Sequence, residues 1–352
     1  PGRPLPRKQD AKLGGHAAGK SDEVIVVKKQ ANNVKSTAEP VERRASAERN
    51  SAVGSVAETQ RSAEAAPGLV RVREAARREG RQTFTNLLHH LSIPLLEQAY
   101  WSLQRRAAAG VDGESWQSYG EGLGRRLASL HARVQSGRYR AQPVRRQWIP
   151  KADGRRRPLG VACVEDKVLQ QALVWVLEAV YEVDFLGFSY GFRPGRGQHD
   201  ALDAVYMAIT TRRVNWVLDA DLEACFDRIE HDKLLAVLGV RIADRRVLRL
   251  IEQTLTAGVV DQGHWQPTRQ GVPQGAVLSP LLANVYLHYA LDRWVHGWRR
   301  HRARGTVSVV RYADDFVVGF QYRDEGERFQ RELAQRLALE MDATPVSRPW
   351  VF

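Results

Sequence analysis

The chain has 352 residues, 43% of them hydrophobic, enough for a sizeable core and two or more domains. It holds 53 Lys and Arg against 40 Asp and Glu, a net charge of +13, which favours a polyanionic partner, nucleic acid before membrane. Its two cysteines, Cys163 and Cys225, exclude a disulfide framework and a cysteine-built zinc site, and no apolar run is long enough to cross a bilayer.

The positive excess is spread along the chain. Residues 1–80 hold 16 Lys and Arg against 10 Asp and Glu, and the remainder 37 against 30. Residues 1–80 contain no Phe, Tyr or Trp and read as a basic leader, disordered or loosely helical. It is a passive tail or an arm that touches RNA. From Gln82 onward Leu, Trp and Tyr recur at helical spacing, as in TNLLHHLSIPLLEQAYWSLQRRA, which predicts a helical extension over 81–145. His89 and His90 are adjacent and so point to different faces of any helix, which makes them poor partners for one metal ion. RQWIPKADGRRRPLGVA (146–162) reads as two strands around an Asp-Gly turn. A helix follows over about 165–182, then a buried strand at 215–221, then a helix that starts near Asp227. Ser279 and Pro280 suit the N-cap and first position of a further helix, with Leu281, Leu282, Val285 and Tyr289 as its apolar stripe. TVSVVRYADDFVVGF (306–320) reads as a hairpin, and a helix follows over about 325–340. Strands and helices mix without βαβ alternation and without an internal repeat, which predicts an α+β fold with helices on one face of a sheet. Both cysteines are expected to pack as small apolar residues in a reducing compartment.

Asp314 and Asp315 stand between two apolar runs, and a buried ionised carboxylate is costly unless paired or bound to metal. The only cation near them in sequence is Arg311. One reading is a polar turn. The other is a divalent-metal site that borrows a third carboxylate from Asp221, at the end of another apolar strand. Magnesium is commonly held by one or two carboxylates, with waters and substrate phosphates completing its shell.

Tyr-Ala-Asp-Asp at 312–315 matches the palm motif of reverse transcriptases. WVLDADLEACFDRIEHDKLL (216–235) and GVPQGAVLSPLLANVYL (271–287) resemble two further palm motifs of that family. IPKADGRRRPLGVACVEDKVLQQAL (149–173), SYGFRPGRGQHDAL (189–202) and AAAGVDGESWQSY (107–119) resemble blocks of one branch, the group II intron-encoded reverse transcriptases and their bacterial relatives. The resemblance runs over roughly 85–340 in the family's order. It implies right-hand polymerase architecture, with fingers over 146–215 and a palm over 216–341 whose antiparallel sheet carries helices on one face. It implies RNA-directed DNA polymerase activity with two Mg²⁺ ions, Mn²⁺ being a substitute. The partners it implies are an RNA template, a DNA or RNA primer, deoxynucleoside triphosphates and the intron RNA of a maturase, with no membrane, in a bacterial cytoplasm. An RNA-binding remnant, a domesticated or defence-associated reverse transcriptase and an RNA-dependent RNA polymerase stay open beside it.

Carried over residue by residue, the resemblance makes Asp221 and Asp314 the metal-binding aspartates and Asp315 their less direct partner. Asp219 lies on the same strand face as Asp221 and competes for its role. The carbonyl of Leu222 would be a further metal ligand. Phe226 would lie beneath the incoming sugar and exclude a 2′-hydroxyl. Gln274 would line the nucleotide pocket, with Gly271 and Gly275 permitting close backbone approach. Lys151 and Arg157 would hold the triphosphate. Arg193, Arg196 and Tyr312 would lie near template and primer. Asp227 and His231 would order a helix start. The resemblance stops at 342–352, where DATPVSRPWVF departs from the family's next strand, so the expectation is a divergent or truncated end without a thumb.

Overall fold

Gly154 lies at φ 80°, in the left-handed region that favours glycine. It reverses the chain between β1 (Val144–Pro150) and β2 (Arg156–Val161), as the Asp-Gly pair predicts. The computed structural model describes residues 67–150, 154, 156–222, 225–341 and 345–347. The two strands pair antiparallel, from Arg145 opposite Val161 to Pro150 opposite Arg156. β4 (Val259–Asp261) joins β1 in parallel and β5 (His264–Gln266) joins β4 antiparallel, giving a mixed sheet in the order β2-β1-β4-β5.

A second sheet holds β3 (Trp216–Leu222), β6 (Val307–Tyr312), β7 (Asp315–Phe320) and β8 (Pro345–Ser347). Its order is β6-β7-β3-β8 and every pairing in it is antiparallel. β8 corrects the reading of 342–352 as a departure from strand. Pro345 opens a strand whose backbone pairs with Leu222, Asp221 and Ala220. A proline fits the first position of an edge strand, where no ladder donor is needed.

The helices in chain order are α1 (Pro67–Arg78), α2 (Ile93–Ser102), α3 (Trp116–Gly120), α4 (Leu123–Gln135), α5 (Val164–Tyr181) and α6 (Gln198–Thr211). They continue with α7 (Cys225–Arg228), α8 (His231–Gly239), α9 (Arg245–Thr256), α10 (Ser279–Leu287), α11 (Arg293–His301) and α12 (Arg323–Met341). α5 is apolar on all sides and buried along almost its whole length, the pattern of a helix inside a core. α1 and α2 pack against it. α1 does so through Leu69, Val72 and Ala76, so the segment read as leader up to residue 80 ends in a docked helix. The i, i+3, i+7 spacing of those residues is the available signal, and the surrounding arginines hide it. The rest of that segment, 1–66, lies outside the described residues.

Two further differences bear on the second sheet. Helices do not keep to one face. α12 packs through Phe329, next to Phe320, on one side, while Ala201 and Ala204 of α6 cover Val310 on the other. Side chains alternate along a strand, so Val310 and Tyr312 need their own apolar cover on that face. Ser279 is the first helical residue of α10 and Leu278 takes the cap position, with Pro280 one residue further in than expected. α10 passes into a π-turn at His288–Asp292 before α11 begins. The rings of His89 and His90 touch, with centroids 3.8 Å apart, because the chain there forms a 3₁₀ turn in place of an α-helix. Cys163 and Cys225 are both free and buried, as expected. Among the described residues no helix is long and apolar enough to cross a membrane.

Candidate active site at the carboxylate hairpin

The apolar strands β6 and β7 are joined by only two residues, Ala313 and Asp314. Ala313 takes φ 58°, a conformation that costs a residue with a β-carbon about 1 kcal/mol or more. Register then sets the carboxylates. Tyr312 stands opposite Asp315, and Asp315 stands opposite Asp221 on the neighbouring strand. Directly opposed residues share a face, so Tyr312, Asp315 and Asp221 form one row across three strands. Asp314 projects from the turn beside them. Asp219 faces Val317, one step deeper along the sheet, which favours Asp221 for the role that the two contest.

The cluster is electrostatically uneasy. Burial pushes the Asp314 carboxyl above the usual carboxylate range, and the charges of Asp315 and Asp221 push it the same way. Its own backbone amide and Arg311 oppose them only in part. The Cys225 thiol below is pushed up to about 12, first by burial and then by Asp314, with Asp221 and Asp227 adding to the effect. A divalent cation would relieve this repulsion, and the donors are hard oxygens of the kind Mg²⁺ takes. Among the described residues no group of three or more His, Cys, Asp and Glu side chains stands ready to hold a metal. A carboxylate pair with a backbone oxygen would suit an ion that draws the rest of its shell from water and phosphate.

A stability test follows with a definite sign. A carboxyl whose folded-state pKa is raised stabilises the fold when protonated, and that stability is lost as pH rises from the unfolded value through the folded one. Asp314→Asn is neutral at every pH and escapes this loss. Without metal at pH 7.5 it is expected to melt about 2 °C above wild type, a gap that closes on acidification below the ordinary carboxylate range. Magnesium at a hundred times its Kd would then stabilise wild type by about 2.7 kcal/mol and the variant by much less, reversing the order in a thermal melt.

Of the residues expected at the nucleotide pocket, Phe226 and Gln274 lie on two segments tied together by hydrogen bonds. Phe226 is half-buried in α7, and its carbonyl accepts from the Val272 amide at 2.7 Å. The Gly271 amide donates to Ile229 at 2.7 Å, and a β-carbon on Gly271 would press on the Asp227 backbone. Gly275, at φ 93°, lies against Leu159 and Gly160 of β2, and the Gly160 amide donates to the Gln274 carbonyl at 2.6 Å. The loop around Pro-Gln-Gly thus ties β2 to the α7 segment. Gln274 donates to both carboxylate oxygens of Asp227 at 3.2 Å. The buried ring of His231 reaches the Gly271 carbonyl at 2.8 Å, so Asp227 and His231 both bond to this loop. Leu222 ends β3 with its side chain in the core, which leaves only its backbone for a ligand. Arg157 is exposed on β2 opposite Ile149. Lys151 lies outside the described residues.

Arg193 is a correction. It is 5% exposed, turned inward, and grips Glu182 at 2.7 and 3.1 Å and the carbonyls of Leu186 and Ser189 at 2.8 and 2.6 Å. A guanidinium so engaged supports a loop and is not available to template. Arg196 is half-buried, stacks over the Tyr190 ring, and also donates to Gly187 and Ser189.

The sequence marks Arg311 only as a nearby cation, and here it matters most. It is 1% exposed and every one of its donors is used. It pairs with Asp292 through Nε and Nη2, both at 2.7 Å. Nη1 donates to Asn284 Oδ1 at 3.0 Å and to the Ala313 carbonyl at 2.7 Å, and Nη2 to Ser189 Oγ at 2.7 Å. The available signal is an arginine inside an otherwise apolar strand, a charge that must find a buried partner.

The carboxylate hairpin and the Pro-Gln-Gly loop are the segments in which the sequence resembles reverse transcriptases. Comparison with known proteins agrees. Residues 149–341 match the family model described as "Reverse transcriptase (RNA-dependent DNA polymerase)". Protein YkfC of Escherichia coli (strain K12) is 35% identical over 289 residues, covering 72% of this chain and 76% of that protein. The group II intron-encoded protein LtrA of Lactococcus lactis subsp. cremoris is 35% identical over 219 residues, 61% of this chain and 36% of LtrA. An uncharacterized 91 kDa protein in the cob intron of Schizosaccharomyces pombe is 35% identical over 214 residues, 60% of this chain and 26% of that protein. The chain belongs to the reverse transcriptase family, in its group II intron-like branch. It spans well under half the length of the two intron-encoded relatives.

Proposed function

We propose that this chain is an RNA-directed DNA polymerase that extends a primer 3′-hydroxyl with deoxynucleoside triphosphates on an RNA template. The observation that carries the reading is the register that sets Asp221 opposite Asp315, with Asp314 in the two-residue turn. In this reading β1, β2 and the segments around them are fingers, and the β6-β7-β3-β8 sheet is the palm. Asp221, Asp314 and the Leu222 carbonyl would hold divalent ions, two Mg²⁺ or Mn²⁺ in its place. When bound, the ions supply activation of the attacking hydroxyl and neutralise charge on the triphosphate oxygens. The protein's own part is positional. Arg157, and Lys151 by the resemblance alone, would hold the triphosphate, Gln274 would line the pocket wall beside Asp227, and Tyr312 would support the primer end. A new phosphodiester bond forms at the α-phosphorus as the bond to the β-phosphate oxygen breaks, and pyrophosphate leaves. The net positive charge supplies sequence-independent hold on the backbone. As part of this reading, the likeness to intron-encoded proteins supports intron RNA as a partner and a maturase role for the whole protein.

Phe226 offers a specific check. With a half-buried aromatic beneath the sugar, wild type is expected to favour deoxynucleotides by about 10²-fold or more, and Phe226→Ala to admit ribonucleotides, narrowing that ratio about tenfold or more. Single-nucleotide incorporation of dTTP against UTP on an oligo(dT)·poly(A) duplex measures it. Equal use of both by wild type would move the assignment to an RNA-synthesising enzyme.

A further inference from the structure

A two-residue turn that puts an alanine in the left-handed region needs something to hold it there. Asp314 is the second residue of that turn, so any slack in Ala313 becomes misdirection of the Asp314 carboxylate. Three features converge on this point. The first is the full engagement of Arg311, whose fork joins strand β6 to Asp292, Asn284, Ser189 and the Ala313 carbonyl. The second is the π-turn that ends at Asp292. A π-turn departs from regular helical bonding, and such turns recur at functional positions. Here it falls where the chain must present a carboxylate to Arg311, and that carboxylate is itself 0% exposed. The third is the segment Phe188–Gly191, which lies along β6. The Arg311 amide donates to Phe188 at 2.8 Å and the Tyr190 amide donates to Arg311 at 2.8 Å. The Asn284 amide group donates to Gly191 at 2.7 Å, and Gly191 abuts the Ala313 amide so closely that a β-carbon would collide with it. Arg193 and Arg196 both hold the Ser189 carbonyl from the far side. The two arginines expected at the template instead brace the loop that braces the hairpin.

We infer that Arg311 is the positioning residue of the carboxylate hairpin: its buried guanidinium, held by Asp292, Asn284 and Ser189, fixes the Ala313 carbonyl and thereby the direction in which Asp314 faces Asp221. The inference rests on the polymerase reading above for its Mn²⁺ and activity arms. A lysine cannot replace the fork, because an ammonium has three donors against five and no planar geometry. The fork also explains why so much polar chemistry is buried here. A neutral, fully bonded network specifies one arrangement, whereas an apolar core under the hairpin would leave Ala313 free to relax.

The test compares the full chain with Arg311→Lys, Ser189→Ala and Arg241→Lys. The last changes another buried arginine, whose side chain bonds to Asp184 at 3.0 Å and to the Gly80 carbonyl, and serves as the comparison for structural loss. Mn²⁺ binding is read by electron paramagnetic resonance, alongside thermal melts and primer extension. Arg311→Lys is expected to weaken Mn²⁺ binding about tenfold or more, and Ser189→Ala about threefold, the range seen for residues that orient metal ligands. Arg311→Lys should lower kcat about 100-fold with the KM for dTTP within about threefold, as misplacement of a reacting group does. Arg241→Lys should lose comparable thermal stability and keep Mn²⁺ affinity. If Arg311→Lys does not fold, the Ser189→Ala shift against Arg241→Lys decides. Unchanged Mn²⁺ affinity in both hairpin variants, an equal loss in Arg241→Lys, or no Mn²⁺ binding by wild type would each overturn the inference. A wild type that binds Mn²⁺ but does not extend a primer, with affinity still lost in Arg311→Lys, would uphold the clamp and refute the polymerase reading.

Discussion

Asp221→Ala and Asp314→Ala are each expected to lower primer extension by about 10³-fold or more, which corresponds to about 4 kcal/mol of transition-state stabilisation. Each removes one of the two carboxylates proposed to hold the ions, Asp221 in the strand register opposite Asp315 and Asp314 in the adjoining turn, and one alone would hold them poorly. Asp315→Ala is expected to cost only about tenfold, since its side chain, exposed in the row, supplies charge without completing the pair. Asp219→Ala, facing Val317, should stay within about threefold. Affinity for the primer–template duplex should change little in all four. It depends on many basic contacts to phosphate and falls steeply with salt in wild type and variants alike. Steady-state extension and filter binding at two salt concentrations separate these effects.

Asp292→Ala is expected to destabilise the fold by about 3–5 kcal/mol, measured by urea unfolding. The pair it breaks is 1% exposed on both sides, and the variant leaves the Arg311 charge buried without a counterion. The comparison is Asp324→Ala. Its partner Arg304 lies 2.5 Å away, but the two side chains are 64% and 70% exposed. Water replaces that partner at once, so the cost should stay within about 1 kcal/mol. Similar losses in both variants would mean that burial does not set the worth of the Arg311 pair.

Much of this arrangement is legible in local pattern. The hairpin, its Asp-Asp turn, the buried strand that ends at Asp221 and the Asp-Gly turn can all be read from the residues around them. Alternation fixes a strand face, and turn residues announce themselves. Features decided at long range are not legible in this way. Arginines between the buried positions of α1 make it resemble a solvated basic leader. The pairing of β8 with β3 joins segments from distant parts of the chain, and nothing within Pro345–Ser347 announces it. Arg193 reads as an outward cation because sequence alone does not show that Glu182 waits inside the fold. Arg311 is legible only as a puzzle, since its partners Asp292, Asn284 and Ser189 lie 19, 27 and 122 residues away. The mixed character of the first sheet has the same origin. Nothing local to Val259–Asp261 says that it runs parallel to β1.

The central claim is that Asp221, set by strand register, and Asp314, set by the hairpin turn, together drive templated DNA synthesis. The most direct measurement is extension of oligo(dT) on poly(A) with dTTP and Mg²⁺, by wild type and by Asp314→Ala. The account predicts extension by wild type that requires both template and Mg²⁺ and vanishes in the variant. No extension by wild type, or equal extension by the two proteins, would contradict it.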